Sequence, residues 1–180
     1  FNSKILFLLI FLKMIMKKKI WSAGGVVYQN KHVLICYRKT TDLFCLPKGT
    51  PEKGESVFET AIREVKEETG IITEIMSKID SISYEFIKPF GDNKYEQNIV
   101  YNKIVHYFLM NKIGGNLKNH DDEFDSIYWM TLPESKEKLT YKNEIEIVEK
   151  AFSSRNKICG FNCSISSSAQ IIFFLTIADS

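Results

Sequence analysis

The sequence predicts one α/β domain, in which β-strands and amphipathic helices share a hydrophobic core. The first observation is the length of 180 residues, which suits a single domain. The second is the composition, since 44% of the residues are hydrophobic and 26% are charged, as in globular proteins. The third is the succession of strand-like segments and segments with helical apolar spacing. The formal charge of +2 is too small to indicate a nucleic-acid or membrane partner.

Segments rich in β-branched and aromatic residues, bounded by turn residues, predict the strands. Gly24 and Gly25, inside the first segment, predict a bulge or a close approach of another backbone. Around His106 both alternating sets of residues are mostly apolar, so we expect both faces to be covered and His106 to be a hydrogen-bonded core residue rather than a base. Loops are predicted at residues 89–93 and 112–123. The predicted strands are residues 20–28, 33–37, 43–46, 71–79, 81–87, 99–110 and 125–130.

The strongest helix signal lies between Ser56 and Gly70. Ser56 and Glu59 have the spacing of a capping box, and Gly70 suits a left-handed helix end. Between them an apolar face is predicted at helical spacing. Pro133 indicates a short helix from residue 131, and apolar residues within 142–152 predict another. The predicted apolar face of the first helix consists of Phe58, Ala61, Ile62 and Val65.

Three glutamates lie beside that apolar face. At about 100° per residue, Glu64, Glu67 and Glu68 cluster on one arc, where like charges repel and lose hydration. A divalent cation would remove that cost, and hard oxygen ligands suit Mg²⁺ or Mn²⁺. A solvated acidic surface is the alternative. It is less favoured because the preceding loop adds Glu55, and because Arg63 can pair with Glu55 or with Glu59.

Residues 49–71 resemble the Nudix box, G-x5-E-x7-R-E-U-x-E-E-x-G-U with U apolar, at every position. Seven fixed residue types at this spacing would arise by chance on the order of 10⁻⁹ per start position. The resemblance implies the Nudix fold, an α/β (α+β) architecture with a mixed β-sheet sandwiched between helices. It also implies hydrolysis of a nucleoside diphosphate linked to another group. The matching residues are Gly49, Glu55, Arg63, Glu64, Val65, Glu67, Glu68, Gly70 and Ile71.

The resemblance also implies roles for individual residues. Glu64, Glu67 and Glu68 correspond to ligands of Mg²⁺, or of Mn²⁺ in its place, and the Gly49 carbonyl to a further ligand. Glu55 and Arg63 correspond to the pair that holds the loop.

The resemblance does not identify the general base. Glu123 precedes Trp129 by six residues, a place where the family often carries a glutamate that completes the metal site or acts as base. The sequence does not choose between Glu67 and Glu123 as the base, and Asp122 or His120 could take the place of Glu123.

Substrate choice depends on residues outside the box. Residues 46–49 read Leu-Pro-Lys-Gly, which resembles the lead-in of the dinucleoside-polyphosphate and diphosphoinositol-polyphosphate branches. We therefore predict a small-molecule nucleotide substrate, with diadenosine tetraphosphate or a related dinucleoside polyphosphate first. Alternatives are an RNA 5′-pyrophosphohydrolase, an (oxidised) nucleoside triphosphate pyrophosphatase, a diphosphoinositol phosphatase and a non-catalytic nucleotide-sensing module. The candidate phosphate contacts are Lys48 and Arg38, and the candidate stacking partners of adenine are Tyr84, Tyr107 and Tyr128.

We expect residues 18–152 to form the Nudix domain. Residues 1–15 are interpreted as a non-native or leader segment, and residues 153–180 as a tail of uncertain structure. The apolar run at residues 5–12 is too short for a membrane span, and no DNA-binding domain fits beside the Nudix domain. The four cysteines lack a zinc or redox pattern, which predicts reduced thiols and a cytoplasmic protein. The oligomeric state is not predicted.

Overall fold

The computed structural model describes residues 17–87 and 100–156. None of the helices in these two ranges is long and apolar enough to cross a membrane. The predicted loop at residues 89–93 and most of the predicted tail, residues 157–180, lie outside the described residues. The elements are β1 (Lys17–Gln29), β2 (His32–Arg38), β3 (Leu43–Cys45), β4 (Lys48–Gly49), α1 (Val57–Thr69), β5 (Ile71–Ile87), β6 (Val100–Gly115), β7 (Ser126–Met130), α2 (Leu132–Lys138) and α3 (residues 142–156).

The described strands form one mixed sheet with β1 near its centre. The order is β3-β2-β1-β6-β5, with β4 paired to β1 and β7 paired to β2. β1 runs parallel to β6 from the Lys17–Val100 pair to the Tyr28–Asn111 pair, and the other pairings are antiparallel. The mixed sheet of the predicted fold class is therefore confirmed.

Helices cover both faces of the sheet. On one face, Ala61 and Val65 of α1 pack against Val27 of β1 and neighbouring buried side chains. On the other face, Val148 and Ala151 of α3 join a second buried cluster. Both alternating sets of β6 are buried over residues 105–110, except His106. The prediction that both faces of this strand are covered is thus confirmed for its central part.

His106 is hydrogen-bonded, as the sequence predicts. Its Nδ1 lies 2.7 Å from the Ser81 hydroxyl on the adjacent strand β5. Burial lowers the pKa of the imidazole, with a smaller effect of the Lys78 charge. The His106 side chain therefore links the paired strands β5 and β6.

Gly24 is where the central strand meets the loop that precedes α1. A Cβ at this position would lie 2.1 Å from the Pro47 carbonyl oxygen and 2.5 Å from the Lys48 Cβ. The adjacent Gly25 donates its N–H to the same Pro47 oxygen at 3.2 Å. The close backbone approach predicted from the paired glycines is therefore present, and it brings β4 against β1.

Three predicted boundaries are wrong. Residues 71–79 and 81–87 form a single strand. Its register against β6 shifts between Ile75 and Ser77 and between Lys78 and Asp80, and these irregularities let the pairing continue through residue 80. β6 continues to Gly115, so the loop predicted from residue 112 starts later. α3 runs to residue 156, past the predicted end at Phe152 and into the predicted tail.

The predicted apolar face of α1 is also wrong in part. Ala61 and Val65 are fully buried, but Phe58 is 57% exposed and Ile62 is at the surface. The helix is rotated so that Glu64 and Glu68 share the buried side with Ala61 and Val65. Phe58 keeps one aromatic contact, with its ring 5.1 Å from that of Phe108.

Candidate active site

Local capping places α1 at the centre of the site. The Ser56 hydroxyl accepts from the Glu59 N–H, and the Glu59 carboxylate accepts from the Ser56 N–H at 2.8 Å. Gly70 ends the helix with φ of 71°, a left-handed conformation that favours glycine. A Cβ on Gly70 would also lie 2.2 Å from the Asn116 carbonyl oxygen. Both predicted ends of this helix are confirmed, and its glutamates therefore have defined directions.

Arg63 ties the preceding loop to α1. Its guanidinium donates to both Glu55 oxygens, at 2.6 and 2.9 Å, and to the Thr50 carbonyl oxygen at 2.9 Å. Its Nη1 lies 3.0 Å from Glu64 and 2.8 Å from Glu67. The structure thus brings Arg63 and Glu55 together as the box resemblance implies, and it adds contacts from Arg63 to two of the proposed metal ligands.

We expect the Arg63–Glu55 pair to make stability dependent on pH. Hydrogen bonds from Arg63, and then from the Glu52 N–H, hold the pKa of Glu55 at about 2, below the usual 4.5. A lowered pKa stabilises the fold above about pH 4.5, and this stabilisation is lost as the pH falls towards 2. Glu55→Gln should therefore lower the free energy of unfolding at about pH 6 and much less at about pH 3. Urea unfolding at both values checks it, and an equal loss at both would contradict the assignment.

Glu64 and Glu68 are the buried carboxylates of the helix. Glu68 is 2% exposed and accepts the Lys48 N–H at 2.8 Å. Burial raises the pKa of Glu68 to about 9, although Lys48 lowers it, and burial likewise raises the pKa of Glu64. A Cβ on Gly49 would lie 2.0 Å from Glu64 Oε2, so only glycine leaves room for that carboxylate. Two carboxyl groups are therefore held against the backbone of β4.

Glu123 lies in a loop that is fastened to the end of α1. The Asp121 N–H donates to the Glu67 carbonyl oxygen at 2.8 Å, and the Glu123 N–H donates to the Asp121 carboxylate at 2.9 Å. The charge of Glu123 raises the pKa of both Glu64 and Glu68, after the larger effect of burial. The fold thus brings the charge of Glu123 close to the glutamates of the box. Its ion-pair partner is Arg38, which lies 85 residues earlier in the chain.

Arg38 is paired in this structure. Its Nη2 lies 2.5 Å from the Glu123 carboxylate, its Nε donates to the Glu123 carbonyl oxygen, and its guanidinium lies 4.9 Å above the Phe124 ring. These contacts connect the end of β2 to the loop before β7. Arg38 therefore lies beside the candidate base Glu123, where it limits the positions that the carboxylate can take.

A cavity of about 370 Å³ lies between the sheet and α3. Lys48, Tyr84 and Tyr107 line it, so three of the predicted substrate contacts come together there. Tyr84 is 40% exposed, whereas Tyr107 is 1% exposed and donates its hydroxyl to Glu144. Tyr107 therefore forms a wall rather than an open stacking surface. Neither Tyr128 nor Arg38 lines this cavity.

The sequence interpretation missed Glu144. This glutamate is 3% exposed and lies in α3 on the same side as Ile147, Val148 and Ala151. These four residues have the spacing i, i+3, i+4 and i+7, which is typical of the buried face of an amphipathic helix. That spacing could have identified Glu144 as a glutamate on the buried face. Tyr141, just before α3, was missed as well, and it lines the cavity while 51% exposed.

A family model described as NUDIX domain matches residues 18–151. The chain belongs to the NUDIX family. Among curated relatives, this chain is 37% identical to MutT4, a candidate mutator protein from Mycobacterium tuberculosis, over 109 residues. The match covers 61% of this chain and 41% of that protein. This chain is 34% identical over 104 residues to an ADP-ribose pyrophosphatase from Methanocaldococcus jannaschii, covering 56% of each. The chain thus spans about half the length of these relatives.

Solved structures share the Nudix fold. A NUDIX hydrolase from Nitrosomonas europaea superposes with a TM-score of 0.57 at 18% identity, covering 76% of this chain and 90% of that chain. A Caenorhabditis elegans Ap4A hydrolase superposes with a TM-score of 0.57 at 22% identity, covering 77% of this chain and 98% of that chain. At these identities the likeness concerns the fold alone.

The Nudix donor set fits a hard divalent cation by its chemistry. The available donor atoms are carboxylate oxygens and the backbone of Gly49, which are the oxygen ligands that such a cation prefers. The Glu64 carboxylate lies so close to Gly49 that residue 49 has no room for a side chain. Within residues 17–87 and 100–156, no three acidic, histidine or cysteine side chains converge on one point that could hold a metal. Arg63 contacts both Glu64 and Glu67. Metal binding and the Arg63 contacts would therefore compete for these two carboxylates.

Proposed function

We propose that this Nudix domain hydrolyses a pyrophosphate bond in a nucleoside diphosphate derivative and that the reaction depends on Mg²⁺, or on Mn²⁺ in its place. The observation that carries this proposal is the pair of buried carboxylates, Glu64 and Glu68, held against Gly49 and Lys48 of β4. Burial disfavours the ionised form of both carboxyl groups, and a cation that binds both would favour it. The adjoining cavity supplies room for the nucleoside.

Each side chain of the site has a proposed part. Glu64, Glu67, Glu68, the Gly49 carbonyl and Glu123 would hold the metal, which when bound supplies charge neutralisation and a water of lowered pKa. Arg63 and Glu55 keep the loop and the helix in register. Because phosphoryl transfer depends mainly on positioning and charge stabilisation, no protein nucleophile is required.

The general base is a carboxylate that can reach a water molecule. Glu67 and Glu123 are about half exposed, at 48% and 50% of their side chains, whereas Glu64 and Glu68 face the sheet. Exposure therefore favours Glu67 or Glu123 as the proton acceptor. Arg63 orients Glu67 in this structure and Arg38 orients Glu123.

We expect Mg²⁺ to stabilise the folded protein through Glu68. At a concentration about 100-fold above the dissociation constant, one bound ion contributes about 2.7 kcal/mol, which raises the melting temperature by roughly 5–10 °C for a domain of this size. Glu68→Gln should abolish most of this shift, whereas Glu74→Gln on the exposed part of β5 should keep it. Melting curves with Mg²⁺ and with EDTA measure it. An unchanged shift in Glu68→Gln would remove this residue from the ligand set.

Diadenosine tetraphosphate, or a related dinucleoside polyphosphate, is the first proposed substrate. Its support is the Leu-Pro-Lys-Gly lead-in, since Lys48 lines the cavity while its N–H contacts Glu68. An ADP-ribose type of substrate is the second, supported by the ADP-ribose pyrophosphatase that is 34% identical over 104 residues. Both are nucleoside diphosphate derivatives, so the same chemistry serves either.

Product analysis decides between the substrates. The protein should be incubated with Mg²⁺ and, separately, diadenosine tetraphosphate, ADP-ribose, 8-oxo-dGTP and a 5′-triphosphate RNA. ATP plus AMP from the dinucleotide supports the first substrate, and AMP plus ribose 5-phosphate from ADP-ribose supports the second. Nucleotide binding without turnover of any compound would instead support a sensing module.

A further inference from the structure

Glu123 is a proposed metal ligand whose carboxylate is bound to an arginine in this structure. Arg38 Nη2 lies 2.5 Å from Glu123 Oε1. Among residues 17–87 and 100–156, no three acidic, histidine or cysteine side chains converge on one point that could hold a metal. The Glu123 carboxylate therefore has to turn away from Arg38 before it can join the glutamates of α1 around a cation.

The backbone on both sides of Glu123 is fixed by hydrogen bonds to neighbouring elements. Towards α1, the Asp121 N–H donates to the Glu67 carbonyl oxygen at 2.8 Å. Towards β2, the Asp125 N–H donates to the Tyr37 carbonyl oxygen at 2.9 Å. These anchors lie two residues before and two residues after Glu123. A rotation of the Glu123 side chain is therefore enough to change its partner, and the loop itself does not have to move.

Solvent exposure makes the ion pair between Arg38 and Glu123 easy to exchange. The Arg38 side chain is 31% exposed and the Glu123 side chain is 50% exposed. Water screens an ion pair of this kind, which typically changes an equilibrium constant by no more than about fivefold. A divalent cation that several carboxylates hold together can therefore displace Arg38 from Glu123.

Arg38 also makes two contacts that do not use the Glu123 carboxylate. Its Nε donates to the Glu123 carbonyl oxygen at 3.2 Å, and its guanidinium lies 4.9 Å from the centre of the Phe124 ring. Both contacts remain when the carboxylate turns away, because one uses the backbone and the other uses a neighbouring side chain. The guanidinium thus stays beside the loop, where it can bind the carboxylate again.

The Glu123 carboxylate lies close enough to α1 to interact with the buried glutamates. Burial has the largest effect on the pKa of Glu64 and of Glu68, and the charge of Glu123 raises both pKa values further. Electrostatic interactions of this kind weaken with distance. A cation bound by Glu64 and Glu68 would therefore attract the Glu123 carboxylate, while Arg38 attracts it in the other direction.

We infer that Arg38 and Glu123 form a latch, in which Arg38 competes with the divalent cation for the Glu123 carboxylate. Arg38 is thus a positioning residue that lowers the affinity of the site for its metal, because only the fraction of molecules with a released carboxylate offers the complete ligand set. It thereby sets the ion concentration at which Glu123 enters the site. The inference rests on the proposed function, since it concerns the metal of that same site.

Titration of the whole chain with Mn²⁺, followed by the electron paramagnetic resonance signal of the free ion, tests this inference without turnover. Arg38→Met should bind Mn²⁺ about threefold more tightly than the wild type, because the competing partner is lost. Glu123→Gln should bind it more weakly, and Arg38→Met added to Glu123→Gln should then change the affinity by less than about 1.5-fold. A purely structural role of Arg38 predicts the opposite sign, since a loosened loop would weaken metal binding.

Lys39→Met is the matched control for the loss of a positive charge at the end of β2. Lys39 is exposed, and its backbone N–H, which the substitution keeps, donates to the Asp125 carboxylate at 2.7 Å. This variant should change the affinity for Mn²⁺ by less than about 1.5-fold. Melting curves establish that each variant is folded. If Arg38→Met does not fold, Arg38→Gln replaces it, because glutamine keeps a donor for the Glu123 carbonyl oxygen.

Three results would overturn the inference: unchanged or weaker Mn²⁺ binding in the folded Arg38 variant, the same gain in Lys39→Met, or a gain of equal size in the Glu123→Gln background. The outcome is separable from that of the proposed hydrolysis. A wild-type protein that binds no Mn²⁺ would remove the metal-dependent reaction together with the latch. Wild-type binding without a gain in the Arg38 variant would remove the latch alone.

Discussion

Glu67→Gln is expected to lower kcat by about 10²- to 10⁴-fold while the protein remains folded. Glutamine preserves the shape of the side chain but removes the charge and the basicity. Glu67 is about half exposed and accepts Arg63 at 2.8 Å, so the substitution leaves no buried charge unpaired. The loss should therefore appear in catalysis rather than in stability.

The measurement is steady-state hydrolysis of the best substrate from the panel, with melting curves on the same samples. Glu74→Gln is the matched control, since it removes an exposed glutamate from β5 and should leave kcat unchanged. Glu123→Gln, measured in parallel, assigns the base. A larger kcat loss for Glu123→Gln, with Glu67→Gln close to wild type, would transfer the base role to Glu123.

Gly24→Ala is expected to destabilise the fold by about 3 kcal/mol or more. The new Cβ would lie 2.1 Å from the Pro47 carbonyl oxygen and 2.7 Å from the Lys48 Cα. Both atoms belong to the backbone, so the clash cannot be relieved by turning a flexible side chain. The central strand and the loop before α1 would have to separate, which removes the pairing that places Gly49 beneath Glu64.

Denaturant and thermal unfolding check this prediction. A loss of about 3 kcal/mol corresponds to a melting temperature lower by roughly 6–12 °C for a domain of this size. Gly114→Ala is the control, because its Cβ would meet only Ile72 side-chain atoms at 3.7 Å or more. It should be neutral or slightly stabilising. Equal stability of Gly24→Ala and Gly114→Ala would show that β1 and β4 do not depend on this close approach.

The predictions that the structure confirms rest on patterns of residues close together in the sequence. Capping depends on residues three apart, so Ser56 and Glu59 predict the start of α1 without knowledge of the rest of the fold. The Arg63–Glu55 pair lies eight residues apart in one loop–helix unit and is present as predicted. The family match over residues 18–151 agrees with the box at residues 49–71.

Predictions that depended on distant packing were less accurate. Helical periodicity shows that a face is apolar but not how far the helix is rotated against its sheet. Phe58 and Ile62 are therefore exposed, and Glu64 and Glu68 take part of the buried side. Alternation likewise could not show that irregular pairing would carry β5 through residue 80, because β6 supplies the partner for that pairing.

The box and the capping residues were enough to indicate the family and the helix that carries the glutamates, and the family resemblance implied the pairing of Arg63 with Glu55. Each of these depends on residues close together along the chain. The three-dimensional fold was needed to show which glutamates are buried, that Arg38 pairs with Glu123, and that Glu144 lines a cavity together with Lys48 and Tyr84. Burial and electrostatic coupling depend on distances in space, and these join segments up to about a hundred residues apart.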